Sequence, residues 1–192
     1  MGEAPNGPQG IGAEYSNGAI TLHWLTAVLI AANLLLGLSM VPLPISPQKL
    51  YWYQWHKWIG VTVFLLTCAR LAWRWANPVP PPVPMAEWQR RAAAATHILL
   101  YALLLTIPVS GWVYSSATGV QVVYLGLVPL PDLVPKDHAL AEALKAVHVS
   151  LNFLLFLLVC VHAAAALKHH FVDRDPALTR MLPRIRSKGS VG

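Results

Sequence analysis

Four stretches of the chain are almost free of charged side chains: residues 19–40, 55–73, 92–116 and 147–167. A helix rises about 1.5 Å per residue, so about 20 apolar residues cross a hydrocarbon layer of about 30 Å. Each stretch has that length, and the pattern predicts an all-α integral membrane protein with four transmembrane helices in one bundle. The predicted division is an N-terminal cytoplasmic segment over 1–18, a membrane domain over 19–171 and a basic cytoplasmic tail over 172–192.

Proline marks the connections, because it cannot continue a helix. Pro42, Pro44 and Pro47 stand in the first, and Pro78, Pro80, Pro81, Pro82 and Pro84 in the second. The third, residues 117–138, contains the apolar stretch VQVVYLGLVPLP, too short and too broken by Pro129 and Pro131 to span. It is expected at the outer interface. Pro108 falls inside the third helix as a tolerated kink.

Composition agrees with a bilayer. Of 192 residues 56% are hydrophobic and only 11% charged, against about 25% charged in soluble domains. The net charge of +6 is not gathered on one face with interleaved aromatics, which excludes a nucleic-acid interface. The charges report topology instead. All eight arginines (Arg70, Arg74, Arg90, Arg91, Arg174, Arg180, Arg184 and Arg186) fall on one side of a four-span arrangement, so the positive-inside rule places both termini in the cytoplasm. The first 18 residues carry no Lys or Arg and no apolar core, and are not read as a cleaved signal. Cys68 and Cys160 lie inside apolar runs as small buried hydrophobes, and no C-x-x-C-H pattern for covalent haem attachment occurs.

Histidines carry the chemistry. Ionisable residues within spans are rare and mark functional sites, and here every span has one: His23, His56, His97, and on the fourth His148 and His162. Fourteen residues separate the last two, almost four turns, so they share a face about 21 Å apart. Because successive helices alternate in direction, His56 and His148 lie at one depth, while His23 lies near the depth of His162, where His97 competes. Two such pairs suit bis-histidine ligation of two haems b, whereas zinc favours Cys or carboxylate ligands grouped around a point. Alternatively a lone histidine such as His97 hydrogen-bonds between helices.

The fourteen-residue step recurs from His23 to Gly37, His56 to Arg70 and His97 to Gly111. The glycines would leave room for a flat ring, and Arg70 would meet a haem propionate. Glycine also serves plain helix contacts, and an arginine can snorkel.

These motifs resemble the bacterial cytochrome b561 family over essentially the whole chain. The carriers are HWL from His23 to Leu25, His56 followed by Gly60, HxxxYxLLxxxPxSGW from His97 to Trp112, and HAAAALKHHFxxRDPxLxRMLP from His162 to Pro183. The resemblance implies that His23 with His162 ligates an inner haem and His56 with His148 an outer one, which demotes His97. Members close to this pattern pass electrons from superoxide through two haems to ubiquinone, and His169 resembles a quinone-contacting residue. Related subunits instead exchange electrons between quinone or quinol and a periplasmic redox partner.

The expectation is therefore a superoxide:ubiquinone oxidoreductase with no catalytic residues beyond its haems. An electron-transfer cytochrome b subunit and a haem-free bundle with histidine proton relays are the alternatives. Lys57, next to His56, and Lys145, one turn before His148, are expected to steer the superoxide anion, with Glu142 placed to neutralise Lys145.

Overall fold

A computed structural model describes residues 14–183. The first 13 residues, together with Arg184 and Arg186 of the basic tail, lie outside the described residues. Four antiparallel helices follow one another: α1 (Asn17–Met40), α2 (Pro47–Ala76), α3 (Glu87–Thr118) and α4 (His138–Lys168). All four are long and apolar enough to cross a membrane. Both described chain ends and the α2–α3 connection lie at one end of the bundle, the terminus end. The other two connections form the hairpin end.

The helices begin where the chain supplies caps. Ser16 Oγ accepts from the Ala19 N–H, Ser46 Oγ from Lys49, and Asp137 Oδ1 from Leu140. Pro47 opens α2, and Gly119 closes α3 at a left-handed φ of 77°. Two helices start well before their apolar runs, α2 at Pro47 and α4 at His138. Apolarity measures the stretch that lipid covers, whereas caps set where the helix starts, and the extra turns of α2 and α4 carry Lys49, Glu142 and Lys145. Pro108 lies inside a continuous α3.

The apolar third connection is a short β-hairpin, β1 (Val123–Tyr124) against β2 (Val128–Pro129), turning through Leu125 and Gly126 at φ 53° and 71°. It is pinned over the hairpin end. Trp58 Nε1 donates to the Val123 carbonyl at 2.7 Å, Trp112 Nε1 to Pro131 at 3.0 Å, and Tyr124 Oη meets Thr62 Oγ1 at 3.0 Å. At the terminus end the chain after α4 folds back, with Trp24 Nε1 donating to the Met181 carbonyl and Arg180 to that of Pro81.

Close backbone packing joins α1 to α2, α2 to α3 and α3 to α4, but hardly α1 to α4. The apolar core is Val63, Leu103, Leu104, Ile107 and Leu155, with Ile30 packed against it. Ile30, Val63, Leu104 and Leu155 each stand seven residues after His23, His56, His97 and His148 in turn. The core is thus a layer midway between the two histidine depths. Elsewhere Leu35, Leu38 and Phe153 face outwards, as do Cys68 and Cys160. The cysteines are therefore covered by lipid rather than buried in protein, because the helix faces that carry them point away from the bundle.

Candidate functional site

The structure brings the histidines together at two levels. Near the hairpin end the rings of His56 and His148 lie 6.2 Å apart between centroids, at an interplanar angle of 82°. Near the terminus end the rings of His23 and His162 lie 6.3 Å apart at 69°. His97 also reaches His162, at 5.4 Å. It is exposed, whereas the other four are half-buried. Since α4 is unbroken from His138 to Lys168, His148 and His162 are about 21 Å apart along it.

Two imidazoles bound to one metal from opposite sides, each about 2 Å from it, have ring centres about 6 Å apart. Both levels meet that separation within a few tenths of an ångström, while the His97–His162 pair is closer. The donors are all imidazole, the set that holds haem iron with a ligand on each side. Nδ1 of His23 and Nδ1 of His56 are buried without a hydrogen-bond partner among the described residues. Such atoms are costly unless something else satisfies them. These residues fit a haem at each level.

Two of the glycines lie directly against the histidine rings. A Cβ at Gly111 would stand 3.0 Å from Cε1 of His148, and one at Gly37 would stand 3.4 Å from Cε1 of His56. Each glycine therefore seats the edge of a neighbouring helix's imidazole against bare backbone, at the hairpin-end level. Gly60 does not join them: a Cβ there meets only Asn33 Nδ2, at 3.8 Å. Arg70 lies over the Tyr101 ring at 5.4 Å and lines an open recess at the terminus end with Arg74 and Trp73. No carboxylate approaches either guanidinium within 4 Å among the described residues, which leaves both able to receive an anionic group.

Beyond Lys168 the helix widens into a π turn, His169–Asp173, and Arg174 takes a left-handed φ of 56°. That turn brings the Asp175 carboxylate onto His169, with Nδ1 to Oδ2 at 2.6 Å, while Asp175 Oδ1 accepts from the Ala177 N–H at 2.9 Å. Lys168 Nζ bonds Asp173 at 2.6 Å. The ligand atoms of His169, Asp173 and Asp175 lie within 4.8 Å of one another, but the Lys168 ammonium already supplies the cluster's cation. Sequence reasoning missed Asp175. Its signal was the D-x-D spacing just after the paired histidines, whose reach depends on a π turn that periodicity does not announce.

At the hairpin end, Lys145 stands 3.6 Å from Glu142, both side chains more than half exposed. Lys49 Nζ is held by the carbonyls of Val41 and Leu43. Lys57, half-buried beside His56, has no carboxylate within 4 Å among the described residues.

Residues 14–184 match the family described as prokaryotic cytochrome b561. The chain is 35% identical over 170 residues to cytochrome b561 homolog 2 of Escherichia coli K12, covering 86% of this chain and 89% of that one. It is 33% identical over 178 residues to cytochrome b561 homolog 1 of the same strain, covering 88% and 97%. A Yersinia pestis protein named "Probable superoxide oxidase CybB" is 29% identical over 178 residues, covering 90% and 98%. With a family match over nearly its whole length and four apolar helices framing paired histidines, the chain belongs to the prokaryotic cytochrome b561 family and is a multi-pass bacterial membrane cytochrome.

Proposed function

We propose that the chain is a di-haem b oxidoreductase of the inner membrane that takes electrons from superoxide on the periplasmic side and delivers them to ubiquinone on the cytoplasmic side. The observation that carries this reading is the pair of matched histidine levels, 6.2 and 6.3 Å between ring centres. When bound there, haem supplies one-electron chemistry that no side chain of this protein can. His56 and His148 hold the hairpin-end site, His23 and His162 the terminus-end site, and His97 is a neighbour rather than a ligand. Arg70 offers its guanidinium to a propionate at the terminus-end level.

The reaction balances as two superoxide anions each losing one electron to become dioxygen, and one quinone gaining two electrons and two protons. Positive-inside placement of Arg70, Arg74, Arg90, Arg91, Arg174 and Arg180 makes the terminus end cytoplasmic. Lys57, facing the periplasm beside His56, attracts the anion. His169, oriented by Asp175 at 2.6 Å, is placed to hydrogen-bond a quinone carbonyl and deliver a proton at the cytoplasmic face. The Yersinia pestis relative's name is consistent with this substrate.

The test is in two parts. A reduced-minus-oxidised spectrum should show a b-type α band, with two haems per chain by pyridine haemochrome. Rapid mixing of the oxidised protein with superoxide should then reduce it in a reaction that superoxide dismutase abolishes, with reoxidation by ubiquinone. Two haems without superoxide-dependent reduction would leave an electron-transfer cytochrome working with a periplasmic redox protein.

A further inference from the structure

Ser110 stands directly before Gly111 on α3 and, in the structure, faces His148 on α4. Its Oγ lies 2.7 Å from the Ile107 carbonyl oxygen and 2.9 Å from Nδ1 of His148. A serine hydroxyl has one proton and two acceptor lone pairs. A carbonyl oxygen can only accept, so the contact at 2.7 Å requires that proton. Oγ must then accept from the histidine. Nδ1 of His148 therefore carries hydrogen, and the lone pair of this neutral imidazole is on Nε2.

We propose that Ser110 is a positioning residue which fixes the tautomer and ring orientation of His148, leaving Nε2 as the metal-binding nitrogen of the hairpin-end site. This inference rests on the haem reading above. Only the hydroxyl is one-sided: Nδ1 of His56, on the opposing helix, meets no side-chain partner among the described residues. Gly111 completes the arrangement by letting the ring edge approach the α3 backbone, so that hydroxyl and imidazole meet. A ligating histidine whose second nitrogen donates a hydrogen bond is held in place and made more basic, and loss of such a partner typically weakens metal binding about 10- to 100-fold. A more basic ligand favours the ferric state, so the hydroxyl holds the potential of this haem down.

The experiment uses the full-length haem-loaded protein in detergent and four variants: Ser110→Ala, Ser110→Thr, His148→Ala and Ser39→Ala. Ser39 serves as a control, since its hydroxyl bonds only the Leu35 carbonyl and is exposed. Redox titration gives the midpoint potentials, and transfer to an excess of a haem-accepting protein gives the loss rates. The hairpin-end haem is the one missing from His148→Ala. Ser110→Ala is expected to raise the potential of that haem alone and to speed its loss about tenfold, with Ser110→Thr restoring both and Ser39→Ala changing neither. Unchanged potentials and loss rates in Ser110→Ala overturn the proposal, as does failure of Ser110→Thr to restore them. A parent protein without haem refutes the proposed function itself, whereas an unaltered Ser110→Ala in a two-haem parent refutes only the role of Ser110.

Discussion

A methyl group added in turn at Gly111, Gly37 and Gly60 should damage the protein in that order. At Gly111 the new carbon would stand 3.0 Å from Cε1 of His148. Relaxed carbon contacts lie at about 3.5–4.0 Å, so the imidazole must retreat by about 0.5 Å. Retreat from α3 stretches the 2.9 Å bond to Ser110 towards its limit and forfeits about 1 kcal/mol of net hydrogen bonding. Overpacking costs about 1–3 kcal/mol besides. The usual helix gain of Ala over Gly is small here, because spans stay helical in lipid even when unpacked. A loss of about 2–4 kcal/mol at the ligand corresponds to haem affinity falling about 30- to 700-fold.

At Gly37 the approach is 3.4 Å, which a few tenths of an ångström relieve, and the effect should be below about fivefold. At Gly60 the nearest atom is 3.8 Å away, an ordinary contact, and nothing should change. The assay is the rate of haem transfer from each purified variant to an excess acceptor, with pyridine haemochrome for stoichiometry. Equal damage at all three positions, or greatest damage at Gly60, would refute the reasoning, since it would mean that the glycines serve helix packing rather than the imidazoles.

Three further outcomes follow from the geometry. His148→Ala should remove the hairpin-end haem and His162→Ala the terminus-end haem, while His97→Ala keeps two haems per chain by haemochrome; loss of one in the last variant would make His97 a ligand. Lys57→Gln should lower the low-salt rate of superoxide-dependent reduction several-fold and flatten its salt dependence, whereas Lys145→Gln should change it less than about twofold because Glu142 already offsets that charge at 3.6 Å. Asp175→Asn should slow quinone reduction about tenfold with both haem spectra intact, because it removes the carboxylate that orients His169; stopped-flow reoxidation by ubiquinone measures it.

The four helices were legible because lipid imposes the same demand on every residue of a span, and alternating direction alone put His56 beside His148 and His23 beside His162. Helix starts were less legible, since Ser46 and Asp137 act through single hydrogen bonds that leave no periodic trace. The fourteen-residue step set Gly37 and Gly111 at the level of His56 and His148, where the structure has them, but the approach of each imidazole to the glycine depends on how a ring lies against a neighbouring backbone. Gly60 has the right spacing for a ligand face and yet meets Asn33, because one residue's face spans both a cofactor side and a helix contact. Ser110 left no trace as a partner and Asp175 only its D-x-D spacing, each defined by a hydroxyl or carboxylate meeting a histidine on another element or beyond a π turn.

The layer formed by Ile30, Val63, Leu104 and Leu155 has an electrical meaning. Its neighbours Thr26 and Thr67 turn their hydroxyls onto their own helices, at the carbonyls of Leu22 and Val63, so they offer no hopping chain to a proton. Electrons can tunnel through such a dielectric, but protons cannot follow, and the two carriers must part company at the membrane. On the proposed reading, proton uptake is confined to the face where His169 lies, and each transfer between the histidine levels would move a bare negative charge across about 21 Å of about 30 Å of insulator. Moving one charge across the full membrane potential is worth about 2.3 kcal/mol per 100 mV. Roughly two thirds of that, about 1.5 kcal/mol per 100 mV, would oppose each electron moving inwards on the proposed route, so an energised membrane should act as a brake on that reaction.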